Sequence, residues 1–379
     1  MGKSIPLRKV NAALYFHIPF CLTKCDYCSF FSTPYRRETL DRYVQNLITE
    51  IGLYRQYFAM DTAWTPATIY FGGGTPSLLS DLQINQILDC FQISATTEIT
   101  IEINPLQITP EYIQKLAKTP VNRLSIGLQS MHDAELQFLT RRHKACDIAG
   151  KIRLCRAEGF DNVSLDLIYG LPGSTIDSVS ANIDHYLELE PDHISTYLLT
   201  LEHDSIMAQA NPTLPADEDL NAQYYQIRRS LIAAGFHHYE ISNFARNNHE
   251  SRHNLIYWTA DPYAGLGASA AGWLAPYRYQ NPSDLDLYEA MISAGQIMGE
   301  RELIDSVTER QDYTIMHLRL LEGIDRADYQ ARFGVDIVDL YTDRITQLQS
   351  LGMLNVTPHR VYLSEQALFV SNMVLAELI

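Results

Sequence analysis

The sequence predicts an α/β fold: an open, partial (β/α)6 barrel followed by a small α-rich C-terminal domain. Short apolar runs rich in β-branched and aromatic residues recur at 12–16, 68–71, 99–103, 123–126, 163–168 and 194–199. Segments with helical spacing separate them, and such alternation builds a parallel sheet through right-handed crossovers. Six units are fewer than the eight of a closed barrel, so the sheet is expected to stay open.

The elements follow in order. Over 39–58, Leu40, Val44, Leu47, Ile51, Tyr54 and Phe58 keep the 3.6-residue period of a helix. Ser80 and Gln83 form a capping box for a helix reaching Cys90. Thr109 and Pro110 open a helix to Lys118, with proline at its first position. A helix over 145–158 stops at Gly159, and another spans 175–188. Past Leu199 the alternation ends. Residues 201–222 carry Glu202, Asp204, Asp217, Glu218 and Asp219 but no Lys or Arg, and read as a linker or surface loop. A helix over 222–234, a Gly/Ala-rich aromatic stretch, further helices and a hairpin over 354–363 complete the chain. The expected divisions are a barrel over 1–205, a linker and aromatic segment over 206–300, and a helical domain over 301–379.

Composition removes several function classes. The 379 residues carry a net charge of −16, which argues against a nucleic-acid-binding surface. No run approaches the length of a membrane span. The opening MGKSIPLRK lacks the apolar core of a signal peptide, so a cytoplasmic protein is expected. Six cysteines in so long a chain are not a disulfide scaffold. Cys90, Cys146 and Cys155 fall in helical patterns and read as small buried apolar residues.

The other three are clustered. In YFHIPFCLTKCDYCSF, Cys21, Cys25 and Cys28 follow C-x3-C-x2-C on a loop after the first strand. Thiolates suit zinc, Cu(I) or iron–sulfur clusters. A structural zinc wants a fourth ligand, for which His17 is at hand, and a zinc-stabilised interaction protein is one reading. A [4Fe–4S] cluster on three cysteines leaves one iron open, and the amino and carboxylate groups of S-adenosylmethionine suit it.

This loop resembles that of the radical S-adenosylmethionine (SAM) superfamily, whose reduced cluster passes an electron to the sulfonium and releases a 5′-deoxyadenosyl radical. LYFHIPFC further resembles the signature of the anaerobic coproporphyrinogen III oxidase-like family. The resemblance implies that Cys21, Cys25 and Cys28 hold the cluster. It implies that Gly72, Gly73, Gly74 and Thr75 of YFGGGTPSLL face the amino group of SAM. Glu102 of TIEINP, Gln129 of RLSIGLQS, Arg141 of LTRRHK and Asp166 of LDLIYGLPGST are implied contacts of the adenosyl ligand, with Tyr15 and Tyr27 beside the cofactors. Taken singly, the glycines also suit a plain tight turn, and each polar residue a helix cap or surface ion pair.

Two departures separate the chain from the oxidases of that family. Phe30 stands where they carry a fourth cysteine, and few residues precede the first strand. Lys3, Arg8 and Lys9 are too few to replace a binding segment for porphyrinogen carboxylates. Both departures fit the heme-chaperone branch, as does RHNLIYW, where His253, Asn254, Tyr257 and Trp258 match an H-N-x-x-Y-W motif. The match implies heme binding there, and imidazole is a common axial ligand. The residues themselves also suit a structural His–Asn pair with Trp258 in the core, and His237, His238 and His249 are rival ligands. The branch implies a chaperone that binds heme and passes it to an acceptor, such as a heme-requiring respiratory enzyme, with an electron donor for the cluster. The alternative is oxygen-independent decarboxylation of coproporphyrinogen III. Whichever of these holds, the resemblance implies a fold able to cleave SAM reductively.

Overall fold

The computed structural model describes residues 13–58, 64–202, 205–246 and 248–379. Lys3, Arg8, Lys9 and Asp204 lie outside them. Six βα units come first: β1 (Ala13–Ile18), α1 (Arg37–Tyr57), β2 (Thr68–Gly73), α2 (Asp81–Leu88), β3 (Glu98–Ile103), α3 (Pro110–Leu116), β4 (Arg123–Gln129), α4 (Ala145–Ala157), β5 (Val163–Tyr169), α5 (Ile176–Glu188) and β6 (His193–Leu198). The local signals act where the sequence placed them. Ser80 and Gln83 form a reciprocal capping box, Thr109 caps α3 ahead of Pro110, and Thr175 caps α5.

The strands have two unlike faces. Ile69, Phe71, Ile99, Ile101, Leu124, Ile126, Val163, Leu165 and Ile194 are fully buried in one continuous core, against the helices. The alternate residues form a second set: Thr68 and Tyr70 on β2, Glu98, Thr100 and Glu102 on β3, Arg123 and Ser125 on β4, Ser164 and Asp166 on β5, His193 and Ser195 on β6. Register pairs them across the sheet as Thr68 with Glu98, Thr100 with Arg123, Glu102 with Ser125, Ser164 with His193 and Asp166 with Ser195. Because side chains alternate faces, these residues share the lumen side. Closed eight-stranded barrels fill that space with branched apolar residues. Here it is polar and hydrogen-bonded, for example Ser164 Oγ with His193 Nδ1 at 2.7 Å.

Residues 206–300, expected as a linker and aromatic segment, contribute strands to the same sheet. After α6 (Asp217–Ala233), β7 (His237–Glu240) and β8 (Asn243–Ala245) form an antiparallel pair, and β8 adds antiparallel to β6. The chain then crosses to the opposite edge. It passes through a short helix, α7 (Arg252–Trp258), and returns as β9 (Tyr263–Leu266), parallel to β1. Three further antiparallel strands, β10 (Ala271–Leu274), β11 (Tyr277–Gln280) and β12 (Glu300–Leu303), complete the order β12-β11-β10-β9-β1-β2-β3-β4-β5-β6-β8-β7. Buried Glu50 of α1 fastens this edge, accepting from Gly267 N (2.8 Å), Asn281 Nδ2 (2.8 Å) and Tyr288 Oη (2.7 Å). The C-terminal region begins with α8 (Ser306–His317), which packs on α7, and contains the expected hairpin in a three-stranded sheet.

Candidate cluster and adenosyl-ligand site

Cys21 ends a two-residue strand, Phe20–Cys21, and the loop beyond it folds back at once. Thr33 N donates to Pro19 O at 2.6 Å and Tyr35 N to Cys21 O at 2.9 Å. Asp26 N donates to Thr140 Oγ1 at 3.1 Å, and Met207 N to Asp26 O at 3.0 Å, so the loop is held from two sides. All three thiols are free and half-buried. They line one cavity of about 460 Å³ at the C-terminal ends of the strands, together with Tyr27, Gly73, Gly74, Thr75, Glu102, Gln129, Arg141 and Asp166. Small-molecule sites run to ~300–1,000 Å³.

Donors already face the sulfurs. Thr75 Oγ1 lies 3.5 Å from Cys21 Sγ, and Arg141 Nη1 lies 3.6 Å from Cys25 Sγ. Arg141 Nη2 donates to Gly127 O at 2.6 Å, while Nε is buried and, among the described residues, has no hydrogen-bond partner. A buried donor left open in a cavity wall calls for an acceptor on a ligand. Gln129 adopts φ of 71° after a register shift at the end of β4, a strained conformation that turns its side chain to the cavity.

Glu102 and Asp166 supply the acceptors. Glu102 Oε1 accepts from Tyr70 Oη at 2.9 Å, and Oε2 from Gly73 N at 3.2 Å. Burial, with Asp166 nearby, pushes its pKa up to about 7. Burial likewise raises Asp166 to about 6, opposed by Ser195, Arg141 and Ser125. Neutral or charged, both present oxygen atoms to the cavity.

Three expectations are corrected. The glycine run serves the protein's own packing as much as a ligand: a Cβ on Gly74 would lie 2.8 Å from Phe20 O, and one on Gly72 would lie 2.8 Å from the Tyr15 ring. Gly73 adopts φ of 111°, which only glycine takes easily. Tyr15 and Gly72 do not line the cavity; Tyr15 points into the lumen, its hydroxyl 3.0 Å from His17 Nδ1. His17 is no spare zinc ligand, since its Nε2 lies 3.0 Å from Phe31 O and both ring nitrogens are engaged. Among the described residues no three His, Cys, Asp or Glu side chains converge on a point that one metal ion could occupy. A cubane engages three thiolates through three different irons and needs no such point. The sequence reading missed Ser125, Tyr197 and Asn104 on the cavity wall, and Tyr70 beneath it. Alternation along strands already identified would have pointed to Ser125 and Tyr70.

The H-N-x-x-Y-W segment lies at the other end of the barrel. His253 is 1% exposed. Its Nδ1 meets Thr68 Oγ1 at 2.8 Å, and its Nε2 meets Tyr257 Oη at 2.7 Å. This conformation offers no imidazole nitrogen to a heme iron. Trp258 is half-buried under the Arg319 guanidinium, 4.8 Å from its ring centre, and Asn254 is half-buried on α7. Of the rival ligands, His238 is buried against Phe244, His249 holds Arg246 O through Nδ1, and His237 is exposed with Nδ1 on Glu250.

Comparison with known proteins follows this geometry. Residues 15–185 match the radical SAM superfamily, and 314–370 match the HemN C-terminal domain. The heme chaperone HemW of Lactococcus lactis is 32% identical over 97% of this chain and 96% of its own. The chain belongs to the HemW family. HemW of Escherichia coli is 31% identical over 85% of this chain and 86% of its own. Coproporphyrinogen III oxidase (HemN) from Escherichia coli, described as a radical SAM enzyme, superposes with a TM-score of 0.83 over 97% of this chain and 89% of its own. At 22% identity that likeness is one of fold. Membership of the radical SAM superfamily brings a [4Fe–4S] cluster and SAM as cofactors. The cavity fits them: it is lined by three free thiols, by Arg141, whose Nε has no partner among the described residues, and by two buried carboxylates.

Proposed function

We propose that this protein is a heme chaperone. It holds a [4Fe–4S] cluster on Cys21, Cys25 and Cys28, places SAM against the strand ends, binds heme and delivers it to an acceptor protein. The observation that carries this reading is the near end-to-end match to HemW of Lactococcus lactis, joined to a cavity whose residues suit both cofactors. When bound, these cofactors supply one-electron chemistry. The chain's own residues do the rest. Arg141 and Thr75 aim donors at the sulfurs of Cys25 and Cys21. Glu102, Asp166 and Gln129 accept or donate hydrogen bonds at the adenosyl ligand, with Tyr27 beside it. The Gly73–Thr75 turn lies against the amino group. No described helix is long and apolar enough to cross a membrane, which suits a cytoplasmic protein that meets a respiratory acceptor and an electron donor at its surface.

Phe30, 63% exposed, occupies the position at which the oxidases carry a fourth cysteine, and this weighs against coproporphyrinogen decarboxylation. The test pairs a heme titration, followed by the Soret band with and without the cluster, with a coproporphyrinogen turnover assay. Saturable heme binding without decarboxylated product is the expected outcome. Product over many turnovers without saturable heme binding would overturn the proposal.

A further inference from the structure

The polar lumen joins two sites that look separate in sequence. At the floor, the Glu98 carboxylate accepts from Arg252 N at 3.3 Å and from His253 N at 3.0 Å, fixing the first turn of α7 beneath the barrel. Glu102 lies four residues further along the same strand and on the same face, ~13 Å away at the rise of a β-strand. Tyr70 fills the interval. Its ring stacks on His253 with centroids 5.1 Å apart and planes 28° apart, and on Tyr15 at 6.1 Å and 25°. Its hydroxyl donates to Glu102 Oε1 at 2.9 Å. The Tyr15–Tyr70 pair also fills the space beneath the glycine turn, since a Cβ on Gly72 would meet Tyr70 Cε1 at 2.9 Å. His253 is itself locked by Thr68 and Tyr257, so the Tyr70 ring rests on a fixed surface.

We propose that the floor positions the adenosyl-ligand site: His253 and Tyr70 are positioning residues that hold Glu102 in place, and the H-N-x-x-Y-W helix serves SAM binding from below rather than lending His253 to heme iron. Glu102 has one fixed donor on each oxygen, Tyr70 Oη and Gly73 N, and its remaining lone pairs face the cavity. A carboxylate held on both oxygens loses no rotational freedom when a ligand donor arrives, which is how preorganised sites gain affinity. The imidazole suits this role in the neutral form, donating through one nitrogen and accepting through the other. Burial supports it by lowering the His253 pKa to about 3.

The proposal rests on the reading that SAM occupies this cavity, and the experiment separates the two. Full-length protein with its cluster reconstituted is titrated with SAM by calorimetry and, for the reduced cluster, by the change that SAM causes in its electron paramagnetic resonance spectrum. Tyr70→Phe keeps the ring and removes only the hydroxyl. Affinity should fall about 5- to 20-fold, less than for losing a direct hydrogen bond between a charged group and the ligand, with iron content unchanged. His253→Phe keeps a ring against Tyr70 but cannot ligate iron. It should weaken SAM binding less than His253→Ala does, while the heme titration keeps its Soret change. Wild-type affinity for SAM in both Phe variants would overturn the proposal. So would loss of heme binding in His253→Phe with SAM affinity intact. If the His253 variants lose iron through misfolding, Tyr70→Phe alone decides. Wild-type protein that binds no SAM would remove the site reading, and the positioning role with it.

Discussion

At the mouth of the barrel, polar groups are left with capacity to spare. Among the described residues Arg141 Nε is buried without a partner, Glu102 and Asp166 line the cavity, and three thiols stand free. At the floor, His253, Glu98 and Arg123 are matched, although Trp258 Nε1 is buried without a partner among the described residues. His253 uses both ring nitrogens, Glu98 accepts two backbone N–H groups, and Arg123 reaches Asn162 Oδ1 at 2.6 Å and His249 O at 3.0 Å. Both ends hold histidines or cysteines, carboxylates and an arginine. The difference is whether their bonding capacity is spent inside the protein. Buried polar groups with matched partners stabilise a fold; those left open are poised for a ligand.

The largest effect that tests this contrast is at the mouth. Cys25→Ala should abolish the brown chromophore, because two thiolates do not hold a cubane. Iron and labile sulfide analysis after anaerobic reconstitution is the check, and full iron in the variant would remove the assignment.

Next come the two carboxylates of β3. Glu102→Ala should cost ~1.5–3 kcal/mol of SAM affinity, a loss of one to two powers of ten, and should destabilise less than Glu98→Ala, because Gly73 lies on the cavity wall where water can replace the lost acceptor. Glu98→Ala should act mainly on stability, with a smaller loss of SAM affinity passed on through His253 and Tyr70. It strands Arg252 N and His253 N at the start of α7, and should lower unfolding free energy by about 1–3 kcal/mol. Calorimetric titration beside thermal melts distinguishes the two. Equal effects from both variants on either quantity would erase the contrast.

The smallest effect is in pH. Folded-state values of about 7 for Glu102 and about 6 for Asp166 lie above the ~4 of unfolded carboxylates. For the ligand-free protein, these groups therefore contribute stability that is fully present below pH ~4 and is lost as pH rises through 6 to 7. Binding that needs the carboxylates as acceptors runs the other way. SAM affinity should fall several-fold between pH 7.5 and 5.5 and fall less in Glu102→Gln, as titrations at matched ionic strength would show.

Much of this was legible in the sequence where the deciding interactions are local. The Ser80–Gln83 capping box, the Thr109–Pro110 start of α3 and the Thr175 cap each involve atoms within a few residues, so residue order alone specifies them. The loop of Cys21, Cys25 and Cys28 was equally readable, because cluster chemistry demands one residue type at short spacing. The strand β9 was not. Its partner, β1, lies about 250 residues away in sequence, and residues 263–266 are short and interrupted by Gly265. The sequence reading stopped at six parallel strands and took 206–300 for a linker and aromatic segment, whereas that region adds strands at both edges of the sheet.

By itself the sequence determined the alternation of strands and helices, the thiol loop and the order of polar residues along the strand ends, because period, caps and ligand spacing are properties of neighbouring residues. Only the tertiary structure decided what His253 does. Whether an imidazole nitrogen is free depends on which atoms fold against it, and here Thr68 and Tyr257 occupy both, with the ring of Tyr70 across its face.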